Sequence, residues 1–173
     1  SFDKIGDVLV QILDMMLLRA DFSNATRIVK TLRELVISRG GSTPANDDRL
    51  TGGEIVHKDQ HYKIRLGTWI EKIIERIGEE QRLEQVVTAL NQGYKGKPSE
   101  IFDYVISLNA SAVNPLINLL GDISRLTQRR MICDAILIIH DGEVTKFSQK
   151  LYYDRWFVVS DMLYIMWKIV DAE

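Results

Sequence analysis

Cysteine is nearly absent from this sequence of 173 residues, and Cys133 is the only one. A single cysteine excludes an internal disulfide framework and any metal site built from several cysteines. It is also typical of a reducing compartment, so we expect a cytoplasmic protein. Because Cys133 lies inside an apolar helical run, we expect a buried thiol without a catalytic role.

Long hydrophobic runs are missing as well. The two longest apolar stretches, 131–139 and 156–170, are both interrupted by polar residues. Neither reaches the roughly 20 apolar residues that a membrane-spanning helix needs. The amino terminus has no initiator Met and lacks the basic-then-apolar order of a signal peptide. We therefore expect no membrane span, and we interpret 1–173 as one helical-repeat domain cut from a longer chain.

Neither sign of charge predominates in the chain. Its 22 basic and 24 acidic residues give a formal net charge of -2, and they are spread along the sequence rather than collected in a tail. A net acidic domain lacks the broad basic field that makes binding to nucleic acid strong. We therefore do not expect a nucleic-acid partner.

Short alternating runs typical of β-strands are also scarce. Apolar residues instead recur at spacings of three and four, the pattern of amphipathic helices. We predict an all-α fold. The first four predicted helices are 2–20, one that begins near Ser23 and ends at Gly40, one that ends before Gly78, and one around 83–90. The other five are 98–108, one that begins at Asn114-Pro115 and ends at Gly121, 126–140, 143–152 and 155–170.

Turn-forming residues concentrate at 40–53, which begins with Gly-Gly-Ser-Thr-Pro and ends with Thr-Gly-Gly. This stretch has almost no apolar residues. We interpret 40–53 as an exposed, flexible loop.

A weak internal repeat is present in the last third of the chain. The segment 131–139 aligns with 158–166, and each follows a shorter predicted helix, at 115–120 and 143–152. A short helix followed by a longer one is a helical-repeat unit, which buries its faces by stacking on its neighbours.

The residues at 154–159, Asp-Arg-Trp-Phe-Val-Val, followed by Leu-Tyr-Ile-Met at 163–166 and Lys-Ile at 168–169, resemble HEAT-repeat proteins, in particular a bacterial subset. The resemblance is clearest over 113–173. It implies a right-handed α-α superhelix of antiparallel helical hairpins, a scaffold or protein-binding role, and no shared catalytic residues.

Basic and aromatic residues near the end of the chain form the candidate partner-binding set. Basic side chains on stacked helices would form a ridge along one edge, although such charges are more often solvated helix faces. Exposed aromatic side chains would serve as anchors for a partner. The candidates are Arg125, Arg129, Arg130, Lys146, Lys150, Tyr152, Tyr153, Arg155 and Trp156.

The last predicted helix is apolar on more than one face over 156–170. A helix that is apolar all round needs cover all round. We expect a further repeat, a partner or a second copy to supply it.

No cofactor or metal site is predicted. His57 and His61 are four residues apart, but no third ligand accompanies them. His140, beside Asp141-Gly142, is expected to cap a helix at its carboxyl end. The glycine-containing turns lack the ending of a phosphate-binding loop.

The sequence therefore predicts a non-catalytic helical-repeat scaffold module that binds a protein or peptide. Two alternatives stay open. One is a homo-oligomeric structural protein that pairs through the apolar last helix. The other is a HEAT-like enzyme of the lyase or DNA-glycosylase class, whose signature would be carboxylates facing a cleft.

Overall fold

Helices form nearly all of the chain that the computed structural model describes, residues 2–38 and 52–172, with the side chains of 3–35 and 61–172. These ranges contain no β-strand, which confirms the predicted all-α class. The helices are α1 (Phe2–Leu18), α2 (Phe22–Ser38), α3 (Gly52–Ile77), α4 (Glu80–Asn91), α5 (Pro98–Ile106), α6 (Val113–Leu120), α7 (Leu126–Ile139), α8 (Thr145–Ser148) and α9 (Trp156–Asp171). The 3₁₀ turns Ala110–Ala112 and Gln149–Tyr152 precede α6 and follow α8.

The start of α2 is set by Asp21 rather than by Ser23. The Asp21 carboxylate accepts hydrogen bonds from the Asn24 backbone N–H (3.3 Å) and from Asn24 Nδ2 (2.8 Å). The first of these is the bond of an N-cap residue, which supplies an acceptor to a backbone N–H group without a partner inside the helix. A carboxylate at this position also suits the helix dipole. The helix consequently begins at Phe22.

The third helix begins earlier than its apolar stripe indicates. The stripe ends before Gly78, and α3 does end at Ile77, but the helix starts at Gly52. The last two residues of the predicted loop, 52–53, are therefore helical, which corrects that boundary. Glycine is tolerated where a helix begins, because the first N–H groups have no intrahelical partner to lose. Residues 40–51 of the predicted loop lie outside the described residues.

The helix predicted around 83–90 begins three residues earlier, at Glu80. The later helix boundaries agree with the predictions to within two residues, except that the predicted helix 143–152 is divided between α8 and the second 3₁₀ turn. His140 is the C-cap residue of α7, as predicted. Its Nδ1 accepts a hydrogen bond of 2.9 Å from the backbone N–H of Gly142, whose φ of +87° carries the chain away from the helix. Glycine adopts this conformation without steric cost.

The helices pack in two rows. In one row α2 contacts α5, α5 contacts α7 and α7 contacts α9; in the other, α1 contacts α4 and α4 contacts α6. The long helix α3 packs against both α1 and α2. One continuous apolar core, which extends from Val10 in α1 to Ile165 in α9, lies between these elements. None of the described helices is long and apolar enough to cross a membrane.

Polar side chains connect helices that are adjacent within a row. Asn118 Nδ2 of α6 donates to Glu80 Oε2 of α4 (2.8 Å), and Lys150 Nζ donates to Asn118 Oδ1 (2.9 Å). In the other row, the Tyr164 hydroxyl of α9 donates to Asp134 Oδ1 of α7 (2.7 Å). The bonded residues in these pairs are 30 to 38 positions apart in sequence. Between α4 and α9 these partners are thus about one helical pair apart, whereas Arg82 of α4 donates to Asp14 of α1, 68 positions earlier.

Candidate functional site

Two of the candidate arginines belong to the packing of α7 against α9. Asp161 is fully buried, and its Oδ2 accepts a hydrogen bond of 3.0 Å from Arg129 Nε, while its Oδ1 lies 3.7 Å from Arg130 Nη2. The two guanidinium groups also lie over aromatic rings of α9, Arg129 5.0 Å from the Phe157 centroid and Arg130 4.1 Å from the Tyr164 centroid. These arginines are engaged inside the fold.

Two other candidates lie apart from this contact. Lys146 Nζ is 3.0 Å from Asp141 Oδ2 and 3.4 Å from Glu143 Oε2, so its charge is balanced locally. This pairing lowers the pKa of Asp141 and raises that of Lys146. Arg125 is the exposed N-cap residue of α7. The six basic residues therefore occupy different environments instead of one uniform ridge.

Three candidates meet at a cleft of about 240 Å³ between the end of α6 and the turn that precedes α9, which we call the α6–α9 cleft. Residues from both elements line it: Ile117, Asn118, Gly121, Asp122, Lys150, Tyr153, Arg155 and Val158. The predicted set includes Lys150, Tyr153 and Arg155. It does not include the α6 side, because the signal there is only a helix end at Gly121 followed by Asp122.

Arg155 is held at the cleft by the end of α6. Its Nη1 donates to the Gly121 carbonyl (2.9 Å) and to Asp122 Oδ1 (3.2 Å). A Cβ atom at Gly121 would lie 2.8 Å from Arg155 Nη1. Glycine at this position therefore leaves the room that the guanidinium group occupies.

Lys150 supplies a cation that faces no carboxylate at hydrogen-bond distance among the described residues. Its ammonium group donates to the neutral amide of Asn118 and lies 4.6 Å from the centroid of the Tyr153 ring. Asp122, the carboxylate that lines the cleft, is already paired with Arg155. The cleft thus carries one more positive than negative charge, in a chain whose net charge is -2.

Aromatic side chains are exposed along the same turn. Tyr152 is 92% exposed and Trp156 is 78% exposed, and they flank Tyr153 and Arg155 in sequence. The Trp156 ring packs edge to face on Phe157, with centroids 6.2 Å apart. Five of the nine candidates, at 150, 152, 153, 155 and 156, therefore lie in one short segment beside the cleft.

Helix α9 is covered on one side only. Val158, Asp161, Met162 and Ile165 are buried, whereas Leu163, Trp167 and Val170 are each more than half exposed. The predicted need for cover thus concerns one face of α9. What covers that face stays a prediction.

The remaining candidates for metal or thiol chemistry are the cysteine and two of the histidines. Cys133 is fully buried, as predicted, and burial raises its pKa to about 12, which keeps the thiol protonated. No group of three or more potential metal ligands occurs among the described residues. His61 is exposed there, and the His57 side chain lies outside them.

The fold and the cleft define an all-α protein whose helices pack in two rows and whose cationic, aromatic surface lies near the carboxyl end. No family model, no curated protein and no solved structure matches the chain.

Proposed function

We propose that this chain is a non-catalytic helical-repeat module that binds a protein or peptide partner at the α6–α9 cleft. The proposal includes a HEAT-like architecture, a right-handed superhelix of helical hairpins, and a cytoplasmic, scaffolding role.

The two rows of helices support the repeat architecture. In helical-repeat proteins each unit contacts only its neighbours, so that helices of one row follow each other at a constant period. The contacts of α5, α7 and α9, which begin at 98, 126 and 156, follow that rule, and polar partners 30 to 38 residues apart reinforce them. The earlier neighbours α2 and α5 depart from it, because α3 and α4 lie between them in sequence.

The observation that carries the binding function is the exposure of Tyr152 and Trp156 beside a cleft that holds Lys150 and Arg155. Aromatic side chains and arginines contribute most of the binding energy at many protein interfaces. An exposed tryptophan keeps a large apolar surface in water unless a partner covers it.

The charge of the cleft indicates the chemistry of that partner. The Lys150 ammonium group has no carboxylate partner among the described residues, because its hydrogen-bond acceptor is the neutral amide of Asn118. A carboxylate on the partner would form a charge-assisted hydrogen bond with the ammonium group, stronger than the bond it replaces. We therefore propose a peptide segment that carries an aspartate or glutamate next to an apolar residue, the acid at Lys150 and the apolar residue on Trp156.

The test is selection of random linear peptides on the wild-type protein, followed by affinity measurement of the selected peptides. We expect acidic residues beside apolar ones to be enriched. Trp156→Ala should weaken binding by about thirtyfold, the loss of about 2 kcal/mol that is typical of an aromatic anchor. Lys150→Gln should weaken it by about tenfold and reduce its salt dependence.

Lys146→Gln is the matched control, because it removes the same charge from a lysine that is paired with Asp141 outside the cleft. Its affinity for the selected peptides should equal that of the wild type. Peptides that bind the Trp156→Ala variant as tightly as the wild type would refute the proposed site.

A further inference from the structure

A second exposed apolar surface lies on α1, away from the α6–α9 cleft. Ile5, Val8, Ile12, Met15 and Leu18 are all exposed, and the first four follow at spacings of three, four and three. That is the spacing of a helix–helix seam, in which apolar residues recur on one side of a helix. The opposite side of α1 packs into the core.

The exposed face of α9 resembles the α1 face in length and character. Leu163, Trp167 and Val170 follow at spacings of four and three, with the half-buried Val159 one turn before them. The two helices have 17 and 16 residues, and at 1.5 Å per residue both are about 25 Å long. Either face could therefore cover the other along its full length.

The charges at the ends of the two faces have opposite signs. Lys4 and Arg19 are exposed at the two ends of the α1 face, and Asp154 and Asp171 are exposed at the two ends of the α9 face. These four side chains have no ion-pair partner among the described residues. Whether the two helices pack parallel or antiparallel, each cation of the α1 face lies opposite a carboxylate of the α9 face.

Several other charges on these two helices are engaged. On α1, Asp7 is paired with Arg76 (2.9 Å) and Asp14 with Arg82 (2.7 Å). On α9, Lys168 lies over the ring of Trp167, 4.9 Å from its centroid.

Asp3 and Lys168 also have no ion-pair partner among the described residues. Each lies nine positions from a residue of the apolar face, Ile12 or Val159, which places it on the opposite side of its helix. The free charges at the ends of the two faces are therefore cations on α1 and carboxylates on α9.

We propose that this chain self-associates head to tail, with the α1 face of one copy packed on the α9 face of the next. A contact between two α1 faces would bring Lys4 and Arg19 of both copies together, and a contact between two α9 faces would do the same for Asp154 and Asp171. Like charges at an interface suppress a pairing, whereas opposite charges favour it. The charges thus select the contact between unlike faces.

When the α1 face of one copy packs on the α9 face of another, the pair still has one uncovered α9 face and one uncovered α1 face. Such heterologous contacts add further copies and produce rings or open chains rather than closed dimers. The α9 face adjoins the α6–α9 cleft, because Asp154 at its end lies between Tyr153 and Arg155, which line the cleft.

The test uses two variants that each block one face, Val8→Glu on α1 and Leu163→Glu on α9, studied by light scattering over a range of concentrations. The wild-type mass should rise from the monomer value of 19.9 kDa through the dimer to larger species. Each variant alone should stay monomeric. A mixture of the two should form a dimer and nothing larger, because each variant retains the face that the other lacks.

Ile64→Glu is the matched control, since Ile64 is also more than half exposed, lies on α3 and belongs to neither face. It should assemble like the wild type. Dimer formation in the mixture also proves that both variants are folded. A wild-type chain that stays monomeric throughout, a Val8→Glu variant that assembles alone, or a mixture that stays monomeric would each overturn the proposal.

Discussion

At the scale of single residues, Tyr104 shows how the core tolerates a polar group. Its ring is fully buried against Phe22, with centroids 5.7 Å apart, and its hydroxyl has no hydrogen-bond partner among the described residues. A buried hydroxyl without a partner costs about 1–3 kcal/mol. We expect Tyr104→Phe to raise the free energy of unfolding by about 1 kcal/mol in urea titrations.

The matched control is Tyr94→Phe. The Tyr94 hydroxyl donates to the Glu100 carboxylate, and the Tyr94 ring also packs on Phe22. The same substitution there should lower the free energy of unfolding by about 1 kcal/mol. A loss of stability in Tyr104→Phe would show that its hydroxyl forms a bond in solution.

Asp161 carries the second prediction at this scale. Burial raises its pKa above the ordinary value, although Arg129 and Arg130 offset part of that shift. Because the pKa is higher in the folded than in the unfolded chain, the contribution of the carboxyl to stability is complete below its unfolded pKa. That contribution is lost as the pH rises through the folded pKa.

We therefore expect the stability of the wild type, relative to Asp161→Asn, to be greater at about pH 3.5 than at about pH 7. Urea unfolding of both proteins at a series of pH values measures this difference, and the asparagine variant removes the titration while keeping the shape. The opposite slope would mean that the two arginines outweigh burial and hold the carboxylate ionised.

At the scale of elements, the junction of α6 with α9 depends on Gly121. Its φ of −62° suits any residue, so Gly121→Ala introduces no backbone strain. The new methyl group would displace the Arg155 guanidinium, the end of a flexible side chain. We expect the stability to change by less than about 0.5 kcal/mol, while the Arg155 Nε–Hε resonance shifts in NMR spectra.

Gly93→Ala is the contrasting control for that substitution. Gly93 has a φ of +78° and no neighbour within 4 Å of a Cβ atom, so alanine would be strained without touching anything. It should cost about 1 kcal/mol and leave the Arg155 resonance in place. An unchanged Arg155 resonance in Gly121→Ala would contradict the close approach of these two residues.

The helices themselves could be predicted because most of them bury one apolar stripe. The end of α3 at Ile77 follows from its stripe, but its start at Gly52 does not, because the residues before 64 carry few apolar side chains. The cap at Asp21 was missed since Ser23 is an equally good capping residue in sequence. The sequence pattern does not decide between two capping residues that lie two positions apart.

The candidate site could be predicted only on its carboxyl-terminal side. Tyr152, Tyr153 and Trp156 are conspicuous as an aromatic cluster; Tyr153 lines the cleft, and Tyr152 and Trp156 are exposed next to cleft residues in sequence. The partners of Lys150 and Arg155 are supplied by α6 about thirty residues earlier. Such pairings depend on how helices stack on each other. The spacing of residues within one helix gives no information about that stacking. For the same reason Arg129 could not be recognised as the partner of buried Asp161.

At the scale of the whole molecule, α1 and α2 contact each other and α3, α4 and α5, whereas α9 contacts α7, α8 and the 3₁₀ turn before it, so the main connections between the two ends of the chain run through the helices between them. If stability is a sum over neighbouring units, as in helical-repeat proteins, a local change should weaken its own end most. Two fully buried residues at opposite ends, Leu13 in α1 and Met162 in α9, allow a symmetrical test.

We expect Met162→Ala to lower the hydrogen-exchange protection of α9 by the full cavity cost, about 2–5 kcal/mol, while amides of α1 and α2 lose much less. Leu13→Ala should show the reverse order. Mass-resolved exchange of peptides from both ends in native conditions measures both variants. Equal losses at the two ends in both variants would mean that the rows unfold as a single cooperative unit, and the unit-by-unit architecture proposed above would then need to be abandoned.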